Sequence, residues 1–144
     1  MAKKRAKKQE PGKIPPPVPL AMVVCDYIHR DPGSGKLFIL GCFSTIHAAK
    51  FPATHGVMGI YVELTNGRGK VPIHARLIDA NEEREPLWET RDEVEFNDPR
   101  IVMQMAFLLG GITFAEPGEY RCQIFACGEF LMERRILVNQ LRRN

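Results

Sequence analysis

No long hydrophobic run exists in this chain. The longest apolar stretch near the N-terminus, residues 20–25, ends at Asp26, far short of the ~20 residues that span a bilayer. It is also too short and too late for the hydrophobic segment of a secretory leader. The expectation is a cytoplasmic protein with no membrane partner. Cysteine is sparse, four residues in 144 (Cys25, Cys42, Cys122 and Cys127). They lie mostly within apolar strand patterns, where a free thiol acts as a small hydrophobe, so a reduced state is expected. No three-turn helical period with a capping box is evident, and there is no internal repeat.

Short motifs of catalysis are missing as well. There is no Gly-x-Ser-x-Gly elbow, no His-Glu-x-x-His and no phosphate loop, because Gly33-Ser34-Gly35 and Gly67-Arg68-Gly69 both have the form of hairpin turns. Neither Cys-x-x-Cys nor His-x-x-x-His occurs, and Cys122 and Cys127 are an odd number of residues apart, which turns them to opposite faces of a continuous strand. Cys25 and His29 share a face by parity, but the remaining cysteines and histidines have no ligand spacing. The acidic loops match no calcium-binding pattern. No cofactor, metal or catalytic residue is expected, and the protein is read as not an enzyme. One weak pocket candidate stands against that: Asp26, His29 and His55 would form an acid–base group if the fold gathered them. The alternative is a solvated charge and two turn histidines.

What is present begins with a split of charge. The net +3 hides six basic residues in the first 13 (Lys3, Lys4, Arg5, Lys7, Lys8 and Lys13) against Glu10 alone. The rest of the chain holds fourteen basic and sixteen acidic residues. The basicity is therefore an arm, and Pro15-Pro16-Pro17-Val18-Pro19 makes its end an extended polyproline spacer. Lys3, Lys4, Arg5, Lys7 and Lys8 are the candidate contacts to nucleic-acid phosphates, a sequence-independent attraction driven by counterion release. A solubilising tail is the competing reading. No aromatic residue appears before Tyr27 to stack on bases. Residues 13–19 also fit a proline-groove ligand pattern, one that proline-rich linkers produce freely. Residues 81–98 carry eight acids against Arg84 and Arg91.

The body reads as strands. Residues 21–29 are rich in strand formers and run into the turn cluster Asp31-Pro32-Gly33-Ser34-Gly35, so the first two strands form a hairpin. Residues 36–47 are apolar on both faces, which predicts a central strand, with Gly41 marking a bulge or close approach. Residues 51–56 read as a connection. Strands over 57–64 and 71–80 flank Asn66-Gly67-Arg68-Gly69, the strongest short hairpin signal in the chain. Trp88, Thr90, Val94 and Phe96 share one parity and charged residues the other, the pattern of an edge strand. Residues 101–109 are almost wholly apolar, and the flanking Pro99 and Gly110-Gly111 predict a buried strand rather than a helix. The last hairpin turns at Cys127-Gly128-Glu129.

Residues 115–124 hold the clearest local signal. Pro117-Gly118 is suited to a type II turn, and Tyr120, Cys122 and Ile124 then alternate with Glu119, Arg121 and Gln123. Glu116, Gly118, Tyr120 and Cys122 resemble the tyrosine corner of immunoglobulin-like sandwiches. The resemblance implies a structural corner of Pro117, Gly118 and Tyr120, whose hydroxyl ties a loop to the next strand. It would also imply an inter-sheet bridge from Cys122 to Cys25 or Cys42, but no tryptophan closely follows the first cysteine.

A wider resemblance runs through Cys25-Asp26-Tyr27, Lys36-Leu37 with Gly41 and Phe43, Phe51-Pro52-Ala53 with His55, and Glu116-Pro117-Gly118-Glu119-Tyr120. This order is similar to that of a family of small prokaryotic proteins of unknown function, over roughly residues 21–138. Gly56 stands where the family pattern has proline. The resemblance implies a compact β-sandwich and no particular activity.

These readings converge on an all-β protein, a single β-sandwich (immunoglobulin-like or similar) of about seven or eight mainly antiparallel strands. The expected division is an arm over residues 1–19, the sandwich over 20–139 and a tail over 140–144. The function expected is a binding or assembly module with a protein partner or self-association, the alternative being arm-driven nucleic-acid binding.

Overall fold

The computed structural model describes residues 15–81 and 84–142. Among these there is no helix, and the nine strands are β1 (Val18–Arg30), β2 (Leu37–Cys42), β3 (Thr45–Ala48), β4 (Ala53–Thr65), β5 (Gly69–Asp79), β6 (Trp88–Phe96), β7 (Met103–Phe114), β8 (Gly118–Ala126) and β9 (Glu129–Gln140). They form two sheets, β2-β1-β4-β7 and β3-β9-β8-β5-β6. Only the β3–β9 pairing is parallel.

Strand alternation builds the core between the sheets. Met58, Ile60, Val62 and Leu64 of β4 and Met105, Leu109, Ile112 and Phe114 of β7 line one side. Val71, Ile73, Ala75 and Leu77 of β5, Tyr120, Cys122 and Ile124 of β8, and Ile136 and Val138 of β9 line the other. Period-two spacing places the β4, β5, β8 and β9 sets on one face of each strand. In β7 the parity switches between Leu109 and Ile112, at left-handed Gly111 (φ 63), which returns Ile112 and Phe114 to the core.

Two predicted connections are corrected. Asn66-Gly67-Arg68-Gly69 is not a hairpin: β4 and β5 lie in different sheets, and these residues carry the chain across the core. Both flanking strands point apolar faces inward, so they oppose each other instead of pairing. Thr65 and Asn66 turn toward the strand-free segment after β6, with Asn66 N–H donating to Pro99 O at 2.9 Å. A Cβ on Gly67 would sit 2.2 Å from the Phe96 ring, so the crossing is packed against β6. Residues 36–47 do not form one central strand. The segment breaks at Phe43-Ser44, leaving β2 at the edge of one sheet and β3 at the edge of the other. Its apolar residues on both parities serve two sheets in succession, which also raises the strand count to nine.

Smaller differences follow. Residues 53–56 belong to β4 and are not a connection; the Phe51–Pro52 peptide before them is cis. β7 is a strand, as predicted, but an edge strand with alternate residues exposed. The β1–β2 hairpin and the edge position of β6 agree with expectation. In the β8–β9 hairpin Cys127 (φ 53) and Gly128 (φ 78) are both left-handed, the requirement of a two-residue type I′ turn.

At the corner, the Tyr120 hydroxyl donates to Glu116 O at 2.6 Å and its ring packs edge-on against Phe114 at 4.8 Å. Gly118 has φ 154, not the value near +80° of a type II turn. The chain bends here and enters β8 directly.

Candidate functional site: the open edges of the four-stranded sheet

Every strand at the margin of a sheet presents unpaired N–H and C=O groups, and side chains decide whether another chain can use them. In the five-stranded sheet the margin β6 carries Glu89, Arg91, Asp92, Glu93 and Glu95. Its opposite margin is β3, four residues long, pairing only with Leu137 to Gln140 of β9. The exposed remainder of β9 includes Glu129, Glu133, Arg134 and Arg135. Charge and brevity are ordinary guards against edge pairing.

The four-stranded sheet has neither guard. β2 reads Leu-Phe-Ile-Leu-Gly-Cys and β7 reads Met-Gln-Met-Ala-Phe-Leu-Leu-Gly-Gly-Ile-Thr-Phe, with no charged residue in either. On β2, Phe38 and Leu40 are each 49% exposed. The register sets Leu40 beside Tyr27 and Phe38 beside His29, so these four share one face of the hairpin. On β7, Leu108 is 49% exposed, and Val57 of β4 is exposed one step away, paired with Gly110. Ile101 and Val102, just before β7, are exposed too.

Outer faces differ in the same sense. The four-stranded sheet carries a second apolar cluster, Cys25, Ile28 and Tyr61, packed with Val23, Leu37 and Ile39. Cys25 and Ile28 are three residues apart, so strict alternation breaks between them; opposite the break Gly41 is left-handed at φ 70, where a Cβ would meet the Asp26 carboxylate. The Tyr61 hydroxyl donates to Glu63 and accepts from Gln104 Nε2 at 2.7 Å. Burial, then the Glu63 carboxylate, pushes the Tyr61 phenol up to about 12.

The outer face of the five-stranded sheet is polar and internally satisfied. Arg76 Nε donates to Gln123 Oε1 at 2.8 Å, and Gln123 Nε2 donates to Glu133 at 2.9 Å, which pairs both ends of an amide only 6% exposed. Arg121 binds Glu119 at 2.8 Å, Arg135 reaches the same carboxylate at 3.3 Å, and His74 meets Glu89 at 2.9 Å. The His74 contact holds the Glu89 carboxyl below its usual range. A hollow of about 390 Å³ lies here between His74, Arg76, Arg91 and Phe125, with Phe125 stacked on His74 and covered by Arg76.

Residues singled out in the sequence fall as follows. Asp26, His29 and His55 are not drawn into one group: no hydrogen bond joins any two of them, His29 packs on Phe38 and His55 on Phe43. The β1–β4 ladder ends at Cys25–Gly59, before it would bring His29 opposite His55. Cys25 and His29 do not share an environment, since Cys25 is buried and His29 exposed. An open groove of about 1310 Å³ lies beside Pro117, Gly118 and the β3–β9 edge, and none of the three lines it. Among the described residues no group of three or more His, Cys, Asp or Glu is placed to hold a metal ion. All four cysteines are free, so the bridge of the immunoglobulin pattern is not formed. Lys3, Lys4, Arg5, Lys7 and Lys8 lie outside the described residues. No helix among the described residues is long and apolar enough to cross a membrane.

Sequence reasoning missed the uncharged edges. Their signal was present as a twelve-residue strand without one charge, but an apolar run reads equally as a buried centre.

A family model matches residues 20–139, nearly all of the two-sheet body. The chain belongs to the DUF6941 family, a family of unknown function. The match begins two residues into β1 and ends one residue short of the end of β9. No curated protein matches the chain.

Proposed function

We propose that this DUF6941 domain is a non-enzymatic binding or assembly module that takes protein partners by adding a strand at an open edge of its four-stranded sheet. The observation that carries the reading is the absence of charge from both β2 and β7, set against five charged residues on β6. An added strand satisfies the free main-chain groups, and the exposed Phe38, Leu40 and Leu108 supply side-chain contact. The reading takes the protein as cytoplasmic, in keeping with four unpaired thiols. Light scattering and pull-down of the full chain test it: wild type should self-associate or retain a partner, and Phe38→Lys with Leu108→Lys should abolish this while leaving the fold intact. A strictly monomeric protein that retains nothing, unchanged by the substitutions, overturns the proposal.

A second reading rests on the six basic residues among the first 13. It has the arm bind nucleic-acid phosphates without regard to sequence. Binding should weaken steeply with salt and vanish when residues 1–13 are deleted; binding that survives the deletion removes it.

A further inference from the structure

We infer that Cys25 and Cys42 are a thiol–disulfide pair, oxidised by a small-molecule disulfide into a cross-strand bridge that staples β2 to β1. The two residues are direct partners in the β1–β2 ladder. Phe43 N–H donates to Val24 O at 3.1 Å, immediately beyond them. That bond makes Cys25 and Cys42 a non-hydrogen-bonded pair, the closer of the two antiparallel kinds, with Cα atoms about 4.5 Å apart. Disulfides take Cα separations of about 4.4–6.8 Å, so the backbone is already within range.

The two thiols are unequal in a useful way. Cys42 is exposed and open to a reagent, whereas Cys25 is fully buried. The Cys25 Sγ lies 3.4 Å from Tyr27 O and 3.6 Å from Gly59 O, weak thiol hydrogen bonds that the bridge would give up. Burial first, and Cys42 second, raise the Cys25 pKa, so the exposed Cys42 is the thiol that meets the reagent. Neither remaining cysteine has this relation: Cys122 is buried in the opposite sheet, and Cys127 lies in the β8–β9 turn.

With oxidised glutathione as the oxidant, the Cys42 thiolate attacks one sulfur of the small disulfide. That S–S bond breaks, and one glutathione leaves as thiolate with the electron pair. Cys25 then loses its proton and its sulfur attacks the Cys42 sulfur, releasing the second glutathione. Two protein thiols are oxidised, one small disulfide is reduced, and the two protons end on the released glutathiones. The bridge fixes the hairpin that bears the uncharged β2 edge, and the chemistry stands whether or not that edge docks a partner.

The test is incubation of the full chain with oxidised glutathione, followed by non-reducing peptide mapping and hydrogen exchange. The expected product is a linked peptide holding Cys25 and Cys42, absent from Cys42→Ser, with β2 amides exchanging on the order of ten-fold more slowly. Three results overturn the inference: a glutathione adduct on Cys42 that persists with Cys25 reduced, a bridge from Cys42 to Cys127 or to a second copy's Cys42, or a correct bridge that leaves β2 exchange unchanged.

Discussion

In the five-stranded sheet the outermost strand β6 alternates Trp88, Thr90, Val94 and Phe96 with Glu89, Arg91, Glu93 and Glu95, while the outermost strands of the four-stranded sheet, β2 and β7, hold no charge. The first sheet also covers its outer face with paired arginines and glutamates, where the second carries an apolar cluster around Cys25, Ile28 and Tyr61. Both sheets bury one continuous core. The two sheets therefore share the core and differ at their edges and outer faces. Charge guards the β6 edge and is missing from β2 and β7, the difference on which the proposed strand addition rests.

The comparison assumes that the two inner faces contribute alike. Phe114→Ala on β7 and Leu77→Ala on β5, both at 0% exposure, should each cost about 3–5 kcal/mol in urea denaturation. A cost confined to one of them would break the symmetry and make one sheet a late addition to the other. Next in size, Tyr120→Phe removes the hydroxyl that bonds Glu116 O, for a loss of about 1 kcal/mol. An unchanged midpoint would leave the corner as a mere bend.

Edge substitutions should move stability little and association much. Glu93→Val with Glu95→Val strips charge from the solvent face of β6, changing stability by no more than about 0.5 kcal/mol each. The same change should create concentration-dependent association in sedimentation, because the edge then loses two of its five charges. If the doubly substituted protein sediments as wild type, the charge on β6 is not what guards it. A further effect appears only in alkali. Tyr61 stays protonated in the fold up to about 12, while the unfolded phenol ionises near 10, so stability falls as pH rises through that window. Burial raises the Tyr120 phenol as well, so ultraviolet titration should show two phenols ionising late, and Tyr61→Phe should remove one of them and lessen the stability loss.

Much of the fold was legible in local patterns. The alternation of Tyr120, Cys122 and Ile124, the hairpin at residues 31–36 and the wet face of β6 each depend on neighbours a few residues away, and all three appear in the structure. The candidate site was not legible. Neither the neutrality of β7 nor the exposure of Phe38 means anything until the strand beside it is known to be absent. Asp26, His29 and His55 drew notice for their chemistry, yet no local rule could say whether β1 and β4 would bring them together.

The sequence by itself determined that the chain is all β, where most strands begin and turn, which face of each is apolar, and that its charge is divided between arm and body. Tertiary structure alone decided which sheet each strand joins. Asn66-Gly67-Arg68-Gly69 has the chemistry of a hairpin and crosses between sheets, and residues 36–47 have the hydrophobicity of one central strand and supply two edges. The reason is that backbone groups choose partners by contact across the whole chain. Alternation fixes a strand's two faces but says nothing of what lies beside it, and the edges of this protein are defined by what lies beside them.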